Sequence, residues 1–143
     1  MGLSIALRED ILNACFRGTA LPTLPTNYYV ALLETMPTDD TGAGAVEVAT
    51  ANWTNYARKP VANSTAGFSA PPGGTTTPQS IANAALIDFG TAATTSNRTI
   101  VGFALYDAAT AGVYYGSAAF TPSQIVQNGD PVSFAIGALT IDM

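Results

Sequence analysis

The sequence predicts a mainly β fold: a single-domain antiparallel β-sandwich or barrel-like sheet with one N-terminal α-helix. Three observations lead there. At 143 residues the chain has the length of one domain, long enough to bury a core without disulfide or metal staples. Helical apolar spacing occurs once, near the start, and everything after residue 27 reads as short apolar runs. Those runs are broken by turn formers, with 13 Gly and 9 Pro in the chain, the pattern of short strands joined by tight turns. The expected organisation is one domain over 1–143: helix 4–17, connector 18–27, and a β-sheet domain 28–143 with long loops at 35–52 and 69–79.

The helix is read from its ends inward. Ser4 is placed to cap it, Glu9 and Asp10 lie early, Arg17 lies in the last turn, and Gly18 supplies the stop. Leu7, Ile11, Ala14 and Cys15 recur at three- and four-residue spacing, so the Cys15 thiol is expected to be a small buried hydrophobe. Pro22 and Pro25 then forbid further helix and predict an extended connector. Tyr28–Leu33 follows as a strand apolar on both faces, hence a central strand covered twice, by a second sheet or by the helix.

Residues 35–52, with Pro37, Asp39, Asp40, Gly42 and Gly44, read as an exposed loop. Trp53–Val61 resumes strand character, with Pro60 confining it to an edge or a bulge. Ser69–Gln79 is the second long loop, and loops of this length are commonly functional. Ala84–Phe89, Thr99–Tyr106, Val113–Phe120, Pro131–Ile136 and Leu139–Ile141 are the remaining strands. Turns are expected at Asp107–Gly112, at Asn128-Gly129-Asp130 and at Gly137.

Composition excludes more chemistry than it suggests. There is no histidine, which removes Ser-His-Asp and Cys-His nucleophile systems and every His-ligated metal site. Asp39-Asp40-Thr41-Gly42 lacks the alternating ligands of a calcium loop and reads as a solvated acidic turn. No pair among the ten acids is singled out for glycoside hydrolysis, and Lys59 has no neighbour to lower its pKa. The expectation is therefore no catalytic residue, no cofactor, no metal and no enzyme.

Five bases, Arg8, Arg17, Arg58, Lys59 and Arg98, are too few and scattered to track a phosphate backbone, so nucleic acid is not expected as a partner. No apolar run approaches the roughly 18–20 residues of a membrane span, and Arg8, Glu9 and Asp10 interrupt any signal-peptide core. Synthesis in a cytoplasm and no membrane association are the expectations. Trp53, Tyr56 and Phe68, or Tyr28, Tyr29, Tyr114 and Tyr115, offer a sugar-stacking surface; adjacent strand aromatics more commonly pack on one another. Finally, only 10% of residues are charged while 48% are hydrophobic, a poor surface for a free monomer and a reasonable one for an assembly subunit.

Several segments carry a resemblance. They are Leu12-Asn13-Ala14-Cys15-Phe16-Arg17-Gly18-Thr19-Ala20, Tyr29-Val30-Ala31-Leu32, and Tyr56-Ala57-Arg58. Further on come Gly102-Phe103-Ala104-Leu105-Tyr106-Asp107-Ala108-Ala109 with Gly112 and Tyr115-Gly116, then Asn128-Gly129-Asp130-Pro131-Val132-Ser133-Phe134 and Gly137-Ala138-Leu139-Thr140-Ile141. In these the chain resembles small virion proteins of tailed bacteriophages, often labelled tail fibre protein and including capsid decoration or cement proteins. The resemblance runs from the helix to the C-terminus; the long 35–52 loop and Trp53 depart from it.

What the resemblance implies is assembly without a cofactor. The leading expectation is a capsid decoration (cement) subunit, made in the host bacterial cytoplasm and carried on the virion. It would bridge neighbouring capsid subunits, with the major capsid protein and copies of itself as partners in a homo-oligomer. Intersubunit contacts are expected at helix 4–17, the Thr19–Thr26 connector and the two loops. The alternative is a tail or head-fibre subunit that binds tail proteins or host glycan, with aromatics near Trp53 exposed for the purpose.

Overall fold

The computed structural model describes residues 2–73 and 79–142. Among them, ten strands and one helix follow in the order β1 (Gly2–Leu3), α1 (Ile5–Arg17), β2 (Asn27–Thr35), β3 (Val46–Glu47), β4 (Lys59–Ala62), β5 (Ser80–Ala82), β6 (Ile87–Thr91), β7 (Arg98–Tyr106), β8 (Tyr114–Val126), β9 (Pro131–Phe134) and β10 (Thr140–Asp142). The main sheet runs β1-β8-β7-β2-β3, with β4 also paired to β2, and two small sheets are formed by β5 with β10 and by β6 with β9. All pairings are antiparallel, and the main sheet is open rather than closed into a barrel. The mainly β, one-helix architecture is the predicted one, in its sandwich form.

β2 and β7 sit at the centre because both are apolar on both faces. Val30 stands opposite Leu105 and Leu32 opposite Phe103. These four join Trp53, Tyr56, Phe89, Phe134 and Leu139 in one core between the main sheet and the small strands. On the reverse face Ala31, Leu33 and Ala104 are also fully buried. The cover there is the 36–45 segment: the Met36 sulfur lies over Gly102, and the backbone of Gly42 lies against the Tyr114 ring. A loop thus does what the sequence reading assigned to a second sheet or the helix. Gly102 is required for this, since a Cβ would meet both the Met36 sulfur and the Ala118 carbonyl.

The helix begins and ends where its caps predict. The Ser4 hydroxyl accepts from Leu7 N–H at 3.2 Å, and Gly18 closes the helix in the left-handed region at φ 67°, its N–H donating to the Asn13 carbonyl. Its first turn holds no acid, contrary to the early placement read for Glu9 and Asp10. No residue of α1 is buried. Leu7, Ile11 and Ala14 are half-buried, and Leu7 and Ile11 border an apolar cleft of about 200 Å³ with Tyr28, Leu105, Tyr115 and Ile141.

Several boundaries differ from the sequence reading. Trp53–Val61 is not a strand over its length: only Lys59–Ala62 pairs, with Pro60 opposite Tyr29, and Trp53 makes an isolated bridge to Thr94. The 35–52 loop contains the short strand β3. The segment expected at Ala84–Phe89 starts later, at Ile87, because Asn83 turns the chain. Buried Asn83 donates from Nδ2 to the Ala85 and Ala135 carbonyls and accepts from Leu139 N–H at Oδ1. Three segments are fastened by one side chain whose hydrogen-bonding atoms are all used, which is how a polar group is tolerated in a core. Of the predicted 69–79 loop, Ser69–Gly73 is irregular and 74–78 lie outside the described residues.

Candidate functional site

The charged side chains are placed first, since any chemistry would need them. Arg58 lies at the entrance to β4, beside Glu47 of β3. Its Nε and Nη2 both bond the Glu47 carboxylate, at 3.0 and 2.7 Å, while Nη1 donates to the carbonyls of Ala108 and Ala111 at 2.9 and 2.6 Å. The guanidinium carbon sits 3.8 Å from the centre of the Tyr106 ring. Burial works against the Arg58 charge, but the Glu47 bonds outweigh it and raise its pKa. Glu47 also accepts from the Tyr56 hydroxyl at 2.8 Å, and that hydroxyl accepts in turn from Leu32 N–H at 2.9 Å. Burial pushes the Tyr56 phenol far above the ordinary tyrosine range, with the neighbouring Glu47 charge adding to it.

This network has the look of a site and the chemistry of a lock. Its donors are spent on fixed partners, and it joins β3, β4, the middle of β2 and the β7–β8 turn. Ala111, in the left-handed region at φ 52°, is held there with its carbonyl on Arg58. The resemblance blocks Tyr56-Ala57-Arg58 and Tyr106-Asp107-Ala108-Ala109, far apart in sequence, are therefore two halves of one structural device. Sequence reasoning missed it, since nothing local marks Glu47 as the partner.

Further ion pairs lie within the chain. Arg98 grips Glu34 through two bonds, at 2.5 and 2.7 Å, and Arg8 pairs with Asp40. Arg17 bonds Asn13, and Lys59 faces the Phe89 ring at 5.9 Å. Asp39 caps the expected acidic turn by accepting from the Thr41 hydroxyl and N–H, which lowers its pKa. Among the described residues no group of three or more acids and cysteines could hold a metal ion.

The aromatics pack on one another, as the commoner reading of strand aromatics has it, and the exposed platform near Trp53 that the host-binding alternative needs is not formed. Trp53 is fully buried, Tyr56 and Phe68 nearly so. Trp53 packs on Tyr56 with ring centres 5.7 Å apart, and Tyr56 stacks on Phe89 at 6.1 Å. The tyrosine pairs also pack on one another: Tyr28 meets Tyr115 edge-on at 5.0 Å, and Tyr114 meets Tyr106 at 5.9 Å.

The N-terminal arm exposes several apolar side chains, and the body does so too, at Leu86, Val113, Ile125 and Ile136. Phe16 is 80% exposed and Leu12 57%, with Ile5, Leu21 and Leu24 also open. Cys15 is exposed, not the buried hydrophobe its spacing predicted. The spacing was read against one helix face, but α1 carries two apolar stripes. Leu7 and Ile11 face the cleft. Ile5, Leu12 and Phe16 lie roughly opposite on a helix of 3.6 residues per turn. The connector from Gly18 to Leu24 is exposed throughout, and the chain rejoins the body where Asn63 bonds the carbonyls of Pro25 and Thr26.

A protein-family model described as "Podophage GP4 fiber I protein gp80" matches residues 2–142. The chain belongs to that family. No curated protein matches it. Membership makes it a fibre-type structural protein of a phage virion, in keeping with the resemblance to small tailed-phage virion proteins. The family match spans both the lock and the arm, so the arm is a part of the family's domain rather than an appended tail.

Proposed function

We propose that this chain is a non-enzymatic building subunit of a podophage fibre-type appendage, acting by surface contact with neighbouring virion proteins. The observation that carries the reading is α1: a capped helix with no buried residue that holds Leu12 and Phe16 out from the body. Exposing such side chains opposes the hydrophobic effect unless a neighbour covers them. The burial of Trp53 supports assembly over glycan recognition, since the aromatics named for sugar stacking are in the core.

The head-decoration role is the second reading. The same arm would suit a cement subunit bridging capsid proteins, and the family description favours the fibre place over it. Copy number separates the two. Quantitative mass spectrometry of purified virions, scaled to the major capsid protein, is expected to find few copies per particle. A ratio within a few-fold of the capsid protein would instead make it cement, and absence from the particle would remove both readings.

A further inference from the structure

We infer that residues 2–17 form a hinged arm, which leaves the β-sandwich as one unit and returns to it while the sandwich stays folded. This goes beyond the assembly reading, because it concerns the free chain and does not depend on which neighbour the subunit meets. Among the described residues the core contains none earlier than Tyr28, so opening the arm removes no packing between the sheets. Within the arm only Ser4 is buried, and its hydroxyl is used locally, accepting from the Leu7 N–H to cap α1.

The fastenings of the arm gather at its N-terminal end. Gly2 pairs with Ser117 and Leu3 with Gly116. The Ser4 N–H donates to the Tyr115 carbonyl at 2.8 Å, and the Ile5 N–H to the Asp40 carbonyl at 3.1 Å. The Arg8 guanidinium pairs with the Asp40 carboxylate, both side chains half exposed. Leu3, Leu7 and Ile11 supply the apolar contact, lining the cleft with Tyr28, Leu105 and Tyr115. All of these lie at or before Ile11. Residues 12–24 are exposed apart from half-buried Asn13 and Ala14, and the chain is held again where Asn63 bonds the carbonyls of Pro25 and Thr26. The hinge is therefore the exposed connector from Gly18 to Leu24.

The other side of the latch stands without the arm. Asp40 belongs to the 36–45 segment, where the Thr38 N–H donates to the Ala43 carbonyl and the Thr41 N–H to Asp39 Oδ1, each at 2.8 Å. That segment is also seated on the main sheet, with Met36 over Gly102 and Gly42 against Tyr114. Opening thus bares two surfaces together: the cleft wall of Tyr28, Leu105 and Tyr115, and the edge of β8 at Gly116 and Ser117. A two-residue strand, two backbone bonds, a solvated ion pair and three half-buried aliphatics make a weak latch, so the open state is expected in on the order of 0.1–10% of molecules. At 13 residues α1 is at the length where a helix without tertiary support is marginal, so it loosens once released.

Hydrogen exchange on the intact chain reads the opening. The α1 amides are expected to exchange together, about a hundredfold faster than those of β2 and β7. Arg8→Gln removes the charge from the latch and should speed α1 exchange about two- to fivefold while cancelling its salt dependence. Leu7→Ala with Ile11→Ala should speed it about tenfold, with exchange in β2, β7 and the 36–45 segment unchanged. Glutamine and alanine are good helix formers, so neither variant acts by weakening the helix itself. Gly2→Cys with Ser117→Cys, in a Cys15→Ser background, puts thiols on directly opposed strand residues. Oxidation should slow α1 exchange severalfold, and reduction should restore it. An α1 that exchanges no faster than β2 and β7 would overturn the arm, because it would then open only with the whole domain. So would an α1 rate unmoved by both Arg8→Gln and the oxidised disulfide, which would mean a helix fraying in place.

Discussion

Trp53 shows how a residue's role is set by what surrounds it. By composition it is a candidate ligand platform; in the fold its indole is fully buried, with Nε1 donating to Asn55 Oδ1 at 2.6 Å. Asn55 in turn bonds Ala93 N–H and the Thr91 carbonyl, so the turn around Trp53 is stitched to the segment after β6. Trp53→Ala is expected to cost about 3–5 kcal/mol, the range for truncating a buried aromatic, read as a lower denaturant midpoint. Tyr56→Phe tests one hydroxyl. It strands the Leu32 N–H inside the core and should cost about 1–3 kcal/mol with little change in the fold by circular dichroism.

At the scale of elements, the question is what holds short strands in place. β3 has two residues and β4 four, too few for pairing alone to secure them. The Arg58–Glu47 pair supplies the missing connection, tying both to the β7–β8 turn. The two side chains are 8% and 25% exposed, so removing one partner leaves the other poorly hydrated. Glu47→Ala is expected to destabilise by about 3 kcal/mol, and Glu47→Ala with Arg58→Met by less, measured by chemical denaturation as a double-mutant cycle. The Arg8–Asp40 pair is half exposed and its loss should be within about 1 kcal/mol.

For the whole molecule, tyrosine burial sets a pH limit. Tyr28, Tyr56, Tyr106, Tyr114 and Tyr115 all have phenol pKa values raised chiefly by burial. A group whose folded pKa exceeds its unfolded value of about 10 contributes stability that is fully present below pH 10. Above that, the unfolded chain ionises first and the contribution is lost as pH rises towards the folded values. Stability is therefore expected to fall steadily above pH 10, and Tyr56→Phe should flatten that fall. Urea midpoints across pH 8 to 11 check both.

Local order was legible in the sequence: the helix with its Ser4 and Gly18 caps, the two-faced central strands, the turn residues, and the absence of imidazole. These depend on neighbours within a few positions, where periodicity and backbone preference act directly. Four features needed the tertiary structure. They are the partner of Arg58, the burial of Trp53, the loop that covers the second face of β2, and the exposure of α1. Each depends on which distant segments meet, and sequence spacing carries no distance across 11 residues or 64. An apolar stripe states that a face wants cover. Only the packed chain shows whether its own body supplies it, and for Leu12 and Phe16 of α1 it does not.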